Sequence, residues 1–307
     1  MVQASNKNSL KEYLKKHYIL YIMLLLPILY YIIFCYIPMG GLVIAFKDYT
    51  VRGGIWGSPW VGLEVFEKIF KSAKFWRAVK NTLVLNILSL IIGFPAPIIL
   101  ALMLNELRNG LFKKGIQTIL YLPHFLSWVI IGGMATQLLA TETGSINMVI
   151  KAMGLDPIPF LSNPTTWIGT YVGIGIWQSI GWGAIIYISA IAGIDQEQYE
   201  AARVDGCSRF KMTYKITLPN ITTTIAIMLI LRFGGLVSIG FEQPLMLTNA
   251  MVTSVSDVLS TYVYNVGLLQ SKFSLATGIG LFQSIINFGM VLLANKLSNR
   301  ISGESIW

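Results

Sequence analysis

Charge is scarce in this sequence. Asp, Glu, Lys and Arg make up 12% of 307 residues, about half the share that soluble domains carry. Histidine is scarcer. His17 and His124 are the two in the chain, far apart, so no Cys/His cluster with metal-ligand spacing exists. His124, beside Pro123, reads as a packing or hydrogen-bonding residue and not as a ligand. Neither H-E-x-x-H nor G-x-S-x-G is present, which removes the two commonest hydrolase signatures. G-x-x-x-x-G-K-[ST] is also missing, so the chain does not bind ATP through a P-loop. Two cysteines occur. Cys35 falls in the first apolar run and Cys207 in a polar loop, too far apart in the expected topology for a disulfide. An enzyme reading has almost no support, and no metal or cofactor is expected in this chain.

What the sequence has instead is apolar length. Hydrophobic residues make up 54%, and several runs reach the roughly 20 residues that cross a bilayer. The expected fold is an all-α membrane protein with six transmembrane helices. The spans are placed at about Tyr18–Ile37, Val79–Leu104, Ile116–Leu139, Thr166–Gly193, Ile221–Leu247 and Leu275–Leu297. The first run is long and lacks a small-residue cleavage site, so it reads as a retained span and not a signal peptide. Residues 1–17 form a basic N-terminal tail, 18–300 the six-span domain and 301–307 a C-terminal tail. Within the long loop 38–78, Leu63 to Val79 is amphipathic and is expected along the membrane surface. The loop 140–165 is rich in turn residues.

The net charge is +9. No basic stripe interleaved with aromatics supports nucleic-acid binding. Lys and Arg at the cytoplasmic ends of spans explain it: thirteen fall on the side of both termini and eight on the other. The bias places both termini inside.

The longest polar interruption in the second half runs QEQYEAARVDGCSRFKMTYKITLP, from Gln196 to Pro219. It reads as two short helices around Gly206. Asp195 can cap the first, with Gln198 three residues on as in a capping box. Gly206 stands where a helix C-terminus needs positive φ. Ser208 can cap the second helix, and Pro219 closes the unit. Glu200, Ala201 and Ala202 lie on the first helix, where small alanines allow close approach of another surface.

This stretch resembles the cytoplasmic EAA loop of binding-protein-dependent ABC importer permeases: E-A-A, three residues, G, nine residues, I, one residue, L-P. Glu200, Ala201, Ala202, Gly206, Ile216, Leu218 and Pro219 supply each fixed position. The resemblance implies that this loop, at 195–219 and including Asp205, docks on an ATPase subunit and transmits its motion. WVGLEVF, FWRAVKNTL, PHFLSWVI, GFEQPLML, DVLSTYVYNVGL and ATGIGLFQSIINFGMVLLANKL resemble the carbohydrate-uptake branch, in its polysaccharide group. That resemblance covers roughly residues 18–300. It implies a MetI-like fold in a bacterial cytoplasmic membrane and a second permease subunit in a heterodimer. Two ATPase subunits, which hold ATP and Mg, and an extracytoplasmic solute-binding protein complete the complex. The implied substrate is an oligosaccharide, acidic if cut from pectin-like or alginate-like polymers, and the implied mechanism is alternating access.

Polar groups within spans are costly and usually face a bundle interior. On the fourth span Gln178, Trp182 and Ser189 share a helical face. On the fifth Arg232, Glu242 and Gln243 do, and on the sixth Gln283 and Asn287 lie one turn apart. Amides and flat rings suit sugar hydroxyls and pyranose faces, so these eight residues are the expected substrate path. Each could equally serve a hydrogen bond between helices. A stand-alone secondary transporter or channel is the alternative, and it would need ionisable residues deep in several spans. Those are nearly absent. Glycines crowd the fourth span at Gly169, Gly173, Gly175, Gly181 and Gly183, and they suit close packing within the bundle or against a second permease.

Overall fold

Apolar runs separated by glycine and proline produce helices throughout. The computed structural model describes residues 13–107 and 110–302, and side chains as far as residue 296. The tail residues 1–12 with Lys7 and Lys11, Arg108 and residues 303–307 lie outside the described residues. Among those described there is no strand, only one antiparallel bridge between Lys47 and Trp60.

Helix α1 (Tyr18–Phe46) is longer than expected, because the chain runs on through a 3-10 segment at Gly40–Phe46. That segment packs on the last helix, while residues 18–39 are exposed along their whole length within this chain. Helix α2 (Glu64–Phe70) leads to α3 (Ala73–Glu106), which Ser72 caps by accepting from the Phe75 amide. The amphipathic segment 63–79 packs one face on the protein and leaves Leu63, Phe70 and Trp76 exposed. Its apolar face, Val65, Ile69, Phe75 and Ala78, is buried against Val237, Leu259 and Ile279. That stripe packs on protein, and the second half of the segment forms the first turns of α3.

The third expected span is two helices, α4 (Leu111–Phe125) and α5 (Trp128–Leu139), bent by 102°. Two local features cause the break. Pro123 stands in a tight 3-10 turn at Leu122–Phe125, and Ser127 starts α5 by accepting from the Ile130 amide. Helix α6 (Pro164–Ala192) is unbroken and packs extensively on the second half of α3. Gly181 makes the crossing of α4 possible, since a Cβ there would sit 2.1 Å from the Leu120 carbonyl oxygen. Gly175 and Gly183 are likewise approached by Gln243 and Pro97, whereas Gly169 and Gly173 face open space.

Past α6 come α7 (Gln196–Val204), α8 (Arg209–Asn220) and α9 (Thr222–Gly234), with a 60° bend between the last two. The fifth expected span, Ile221–Leu247, is interrupted. Helix α9 stops at Gly234, and the helix resumes only at α10 (Glu242–Leu247). Gly234 lets α9 press on the last helix, where a Cβ would meet Val291 at 2.5 Å. A break in a span is tolerated where side chains take up the freed backbone groups; two amides do so here, and a third bonds to the Ser238 hydroxyl. Asn86 Nδ2 donates to the carbonyls of Leu236 (2.7 Å) and Ser238 (3.1 Å). Gln283 Nε2 donates to the Val237 carbonyl and to Ser238 Oγ, and Asn287 Nδ2 donates to Ser238 Oγ. Gln283 and Asn287 belong to α11 (Phe273–Ser302). By length and composition α1, α3, α6 and the 273–296 stretch of α11 can each cross a membrane, and the two bent pairs bring the number to six if each is one span.

Candidate functional site

A cavity of about 540 Å³ opens between α3, α6, α9 and α10. Phe94 and Pro97 of α3, Gln178 and Trp182 of α6, Arg232 of α9 and Gln243 of α10 line it. Most of these groups are held in place. Gln178 Nε2 donates to the His124 carbonyl at 3.4 Å, and the Trp182 ring stacks on His124 at 4.7 Å between centroids with 5° between planes. Gln243 Nε2 donates to the Tyr171 carbonyl at 2.9 Å, and the absent side chain of Gly175 makes room for that carboxamide. Trp167 Nε1 donates to the Leu247 carbonyl at 2.8 Å and pins the end of α10 to the start of α6. The wall therefore combines fixed amides, aromatic faces and one cation.

Four of the eight expected path residues meet here: Gln178, Trp182, Arg232 and Gln243. Ser189 does not. It is exposed further along α6 and lines no part of the cavity. Arg232, Glu242 and Gln243 do not share one helical face, because the helix ends at Gly234 and periodicity does not carry across the break. Glu242 is exposed and outside the cavity. Gln283 and Asn287 lie near Ser238, where both bond to its hydroxyl and Gln283 also takes the Val237 carbonyl. Tyr171, Phe94 and Trp128 also line the cavity and were missed. Tyr171 had a readable signal, since it lies two turns before Gln178 on α6 and so on the same face.

At the far end of α6, three residues lead into α7. Asp195 caps α7 by accepting from the Glu197 amide at 3.0 Å. The expected capping box does not form. Gln198 instead accepts from Asn220 Nδ2 at 3.0 Å, because the end of α8 folds back beside it. Gly206 has φ +71°. Its amide bonds to the Arg203 carbonyl, and the Cys207 amide bonds to that of Ala202. This is a complete Schellman termination. Ser208 caps α8 by accepting from the Lys211 amide.

Within the loop, Glu200, Ala201, Asp205 and Pro219 are exposed, and Ala202 is buried. Ile216 and Leu218 pack on a cluster that includes Ile98 of α3 and Tyr187 and Ile191 of α6. Thr213 Oγ1 donates to Glu106 Oε1 at the end of α3, at 3.2 Å. The loop is thus keyed into two of the helices that wall the cavity, α3 and α6. Its outer side carries Val204, Phe210 and Tyr214, at 89%, 84% and 66% exposure.

This arrangement has counterparts in known proteins. Residues 93–303 match the model of the family described as the binding-protein-dependent transport system inner membrane component. The chain is 44% identical over 288 residues to the polygalacturonan/rhamnogalacturonan transport system permease protein YteP of Bacillus subtilis, covering 94% of this chain and 90% of that protein. It superposes with a TM-score of 0.88 and 41% identity on a chain of a bacterial ABC transporter involved in the import of the acidic polysaccharide alginate, over 96% of this chain and 99% of that one. A bacterial alginate ABC transporter in complex with an alginate pentasaccharide-bound periplasmic protein gives 0.87 and 40%, over the same shares. The match of the family model over more than half of the chain, the likeness along nearly its whole length and the loop at 195–219 agree, and the chain belongs to the family of binding-protein-dependent transport system inner membrane components.

Proposed function

We propose that this chain is a permease subunit of an ABC importer that carries oligosaccharides, acidic ones among them, across the cytoplasmic membrane. One observation carries the proposal. Helix α6 lines the cavity with Gln178 and Trp182 and, past Ala192, runs into the 195–219 loop within three residues. A displacement of α7 by a partner therefore reaches the cavity wall along one rigid helix. The cavity chemistry suits sugar, because amides bond hydroxyls and apolar ring faces stack on aromatic side chains. The relatives named above import alginate or transport polygalacturonan, which supports the same substrate class.

The reading includes partners. Two ATPase subunits hold ATP and Mg and dock on the loop through Glu200, Ala201 and Asp205. A second permease completes the path, and an extracytoplasmic solute-binding protein delivers the sugar, as the periplasmic protein of the alginate transporter complex suggests. Both termini face the cytoplasm. The chain itself carries no hydrolytic site. The test is co-purification with its genetic neighbours, followed by reconstitution into vesicles. The expected result is oligosaccharide uptake that requires ATP and the binding protein. Uptake by the chain alone, driven by an ion gradient, would overturn the proposal.

A further inference from the structure

Arg232 is the one charged side chain among the described residues that line the 540 Å³ cavity. It also lines an adjoining hollow of about 150 Å³ shared with Asn86 and Ser238. The ion pairs among the described residues are Lys71–Glu67, Arg77–Asp257, Lys151–Glu142 and Arg209–Glu106, and none includes Arg232. Glu242, the nearest acidic residue in sequence, lies beyond the break and lines neither space. Its place is well defined. Arg232 stands in the last turn of α9, two residues before the helix ends at Gly234, where the carbonyl end of a helix favours a cation.

The neighbouring polar groups are already engaged. Gln243 bonds to the Tyr171 carbonyl, Gln178 to that of His124, and Asn86 to those of Leu236 and Ser238. The guanidinium is left as the strong donor with no acid facing it. Arg232 is exposed within this chain and faces the cavity space, so its guanidinium can meet an anion that enters. A planar fork of N–H groups matches a carboxylate through two parallel hydrogen bonds. The aromatic wall beside it offers a face for the ring that bears such a carboxylate.

We propose that Arg232 binds the carboxylate of a sugar acid in transit and sets the preference of the path for uronate-containing oligosaccharides. This rests on the importer reading above and deepens it by naming the residue that reads substrate charge. The other candidate anions are a lipid phosphate and an acidic residue of a neighbouring subunit, and the test separates them from the substrate.

The assembled importer is placed in proteoliposomes with its binding protein and ATP. Uptake is compared for a uronate oligosaccharide and for the same oligosaccharide with its carboxyls reduced to primary alcohols. The readout is the ratio of the two rates in wild type, Arg232→Gln and Arg232→Lys. The binding protein is the same in every arm, so its own selectivity cancels between variants. Uptake of the neutral sugar reports that each variant is folded and coupled. The expected result is an acid-to-neutral ratio about tenfold or more lower in Arg232→Gln, the scale of a lost charge-assisted pair. Neutral uptake is the internal reference for each variant, so only the ratio is read, and Arg232→Lys retains most of the preference. An unchanged ratio in Arg232→Gln overturns the assignment. So does an equal loss for both sugars, the outcome if Arg232 holds a lipid phosphate or a subunit contact. If the wild-type complex carries neither sugar, the importer reading falls and this assignment with it, a result distinct from the other two.

Discussion

The Tyr199 and Thr217 hydroxyls lie 2.8 Å apart, joining α7 to α8 across the turn at Gly206. Thr217 is buried, and its neighbours Ile216 and Leu218 pack on α3 and α6. A push on α7 thus reaches the membrane helices through this bond as well as through the chain. Tyr199→Phe removes the bond and keeps the ring. The loss is about 1 kcal/mol, so the loop still folds but yields under load. Sugar carried per ATP hydrolysed should fall several-fold, with insertion and expression unchanged. Measuring uptake and phosphate release on the same vesicles checks this, and an unchanged ratio would show that the bond carries no force.

Gly206 offers a sharper test of the same loop. At φ +71° the backbone occupies the left-handed region, where a β-branched side chain is strained by about 1–2 kcal/mol. Nothing lies within 4 Å of the position a Cβ would take, so Gly206→Val acts through the backbone and not through a clash. The Schellman bonds of Gly206 and Cys207 should weaken, and transport should fail while the protein still inserts. Asn, which tolerates positive φ, should rescue most of it. Equal failure of Val and Asn would point to a need for the bare backbone at a partner surface.

Much of this loop was legible in the sequence, because short-range chemistry builds it. Caps at Asp195 and Ser208 and a positive-φ glycine are local rules, and the motif spacing marked the rest. The apolar runs marked the long helices for the same reason. The break in the fifth span was not legible. Ile221–Leu247 reads as one apolar run, and the carbonyls at its break are satisfied by Asn86 and Gln283, which lie far away in sequence. Gly234, Gly235, Gly240 and Pro244 were the local hints. The break leaves Glu242 outside the cavity and sets Gln283 and Asn287 beside Ser238. Ser189 was lost differently: it shares a face with Gln178, but the cavity lining on α6 stops at Tyr187, two residues short of it. The third span bent because Pro123 and Ser127 are a stop and a start, signals that the hydropathy of the run concealed.

The amide support of the broken span predicts a stability effect. Asn86→Leu keeps the volume but strips a donor from the Leu236 and Ser238 carbonyls. The Leu236 bond is part-buried and the Ser238 bond exposed, so the loss is about 1 kcal/mol. The melting temperature of the purified protein in detergent should fall clearly. Ser284→Ala is the comparison, since Ser284 only returns a bond to the Gly280 carbonyl one turn back on the same helix. Equal melting of the two variants would mean that the break does not depend on Asn86.

The outer side of the loop predicts where the partner sits. Phe210 and Tyr214 lie one turn apart on the second loop helix, and Val204 ends the first, all largely exposed. A cluster of exposed apolar side chains beside a polar helix marks an interaction site. Burying a phenylalanine is worth about 1.5–3 kcal/mol, so replacing Phe210 with Asp should weaken ATPase binding by roughly ten- to a hundredfold. The chain itself should be indifferent, because at 84% exposure Phe210 contributes little to its core. Affinity purification on this chain should then recover much less ATPase from the variant, with detergent melting unchanged and the second permease still bound. Full recovery of the ATPase would place the docking surface elsewhere on the loop, on the side of Glu200 and Ala201.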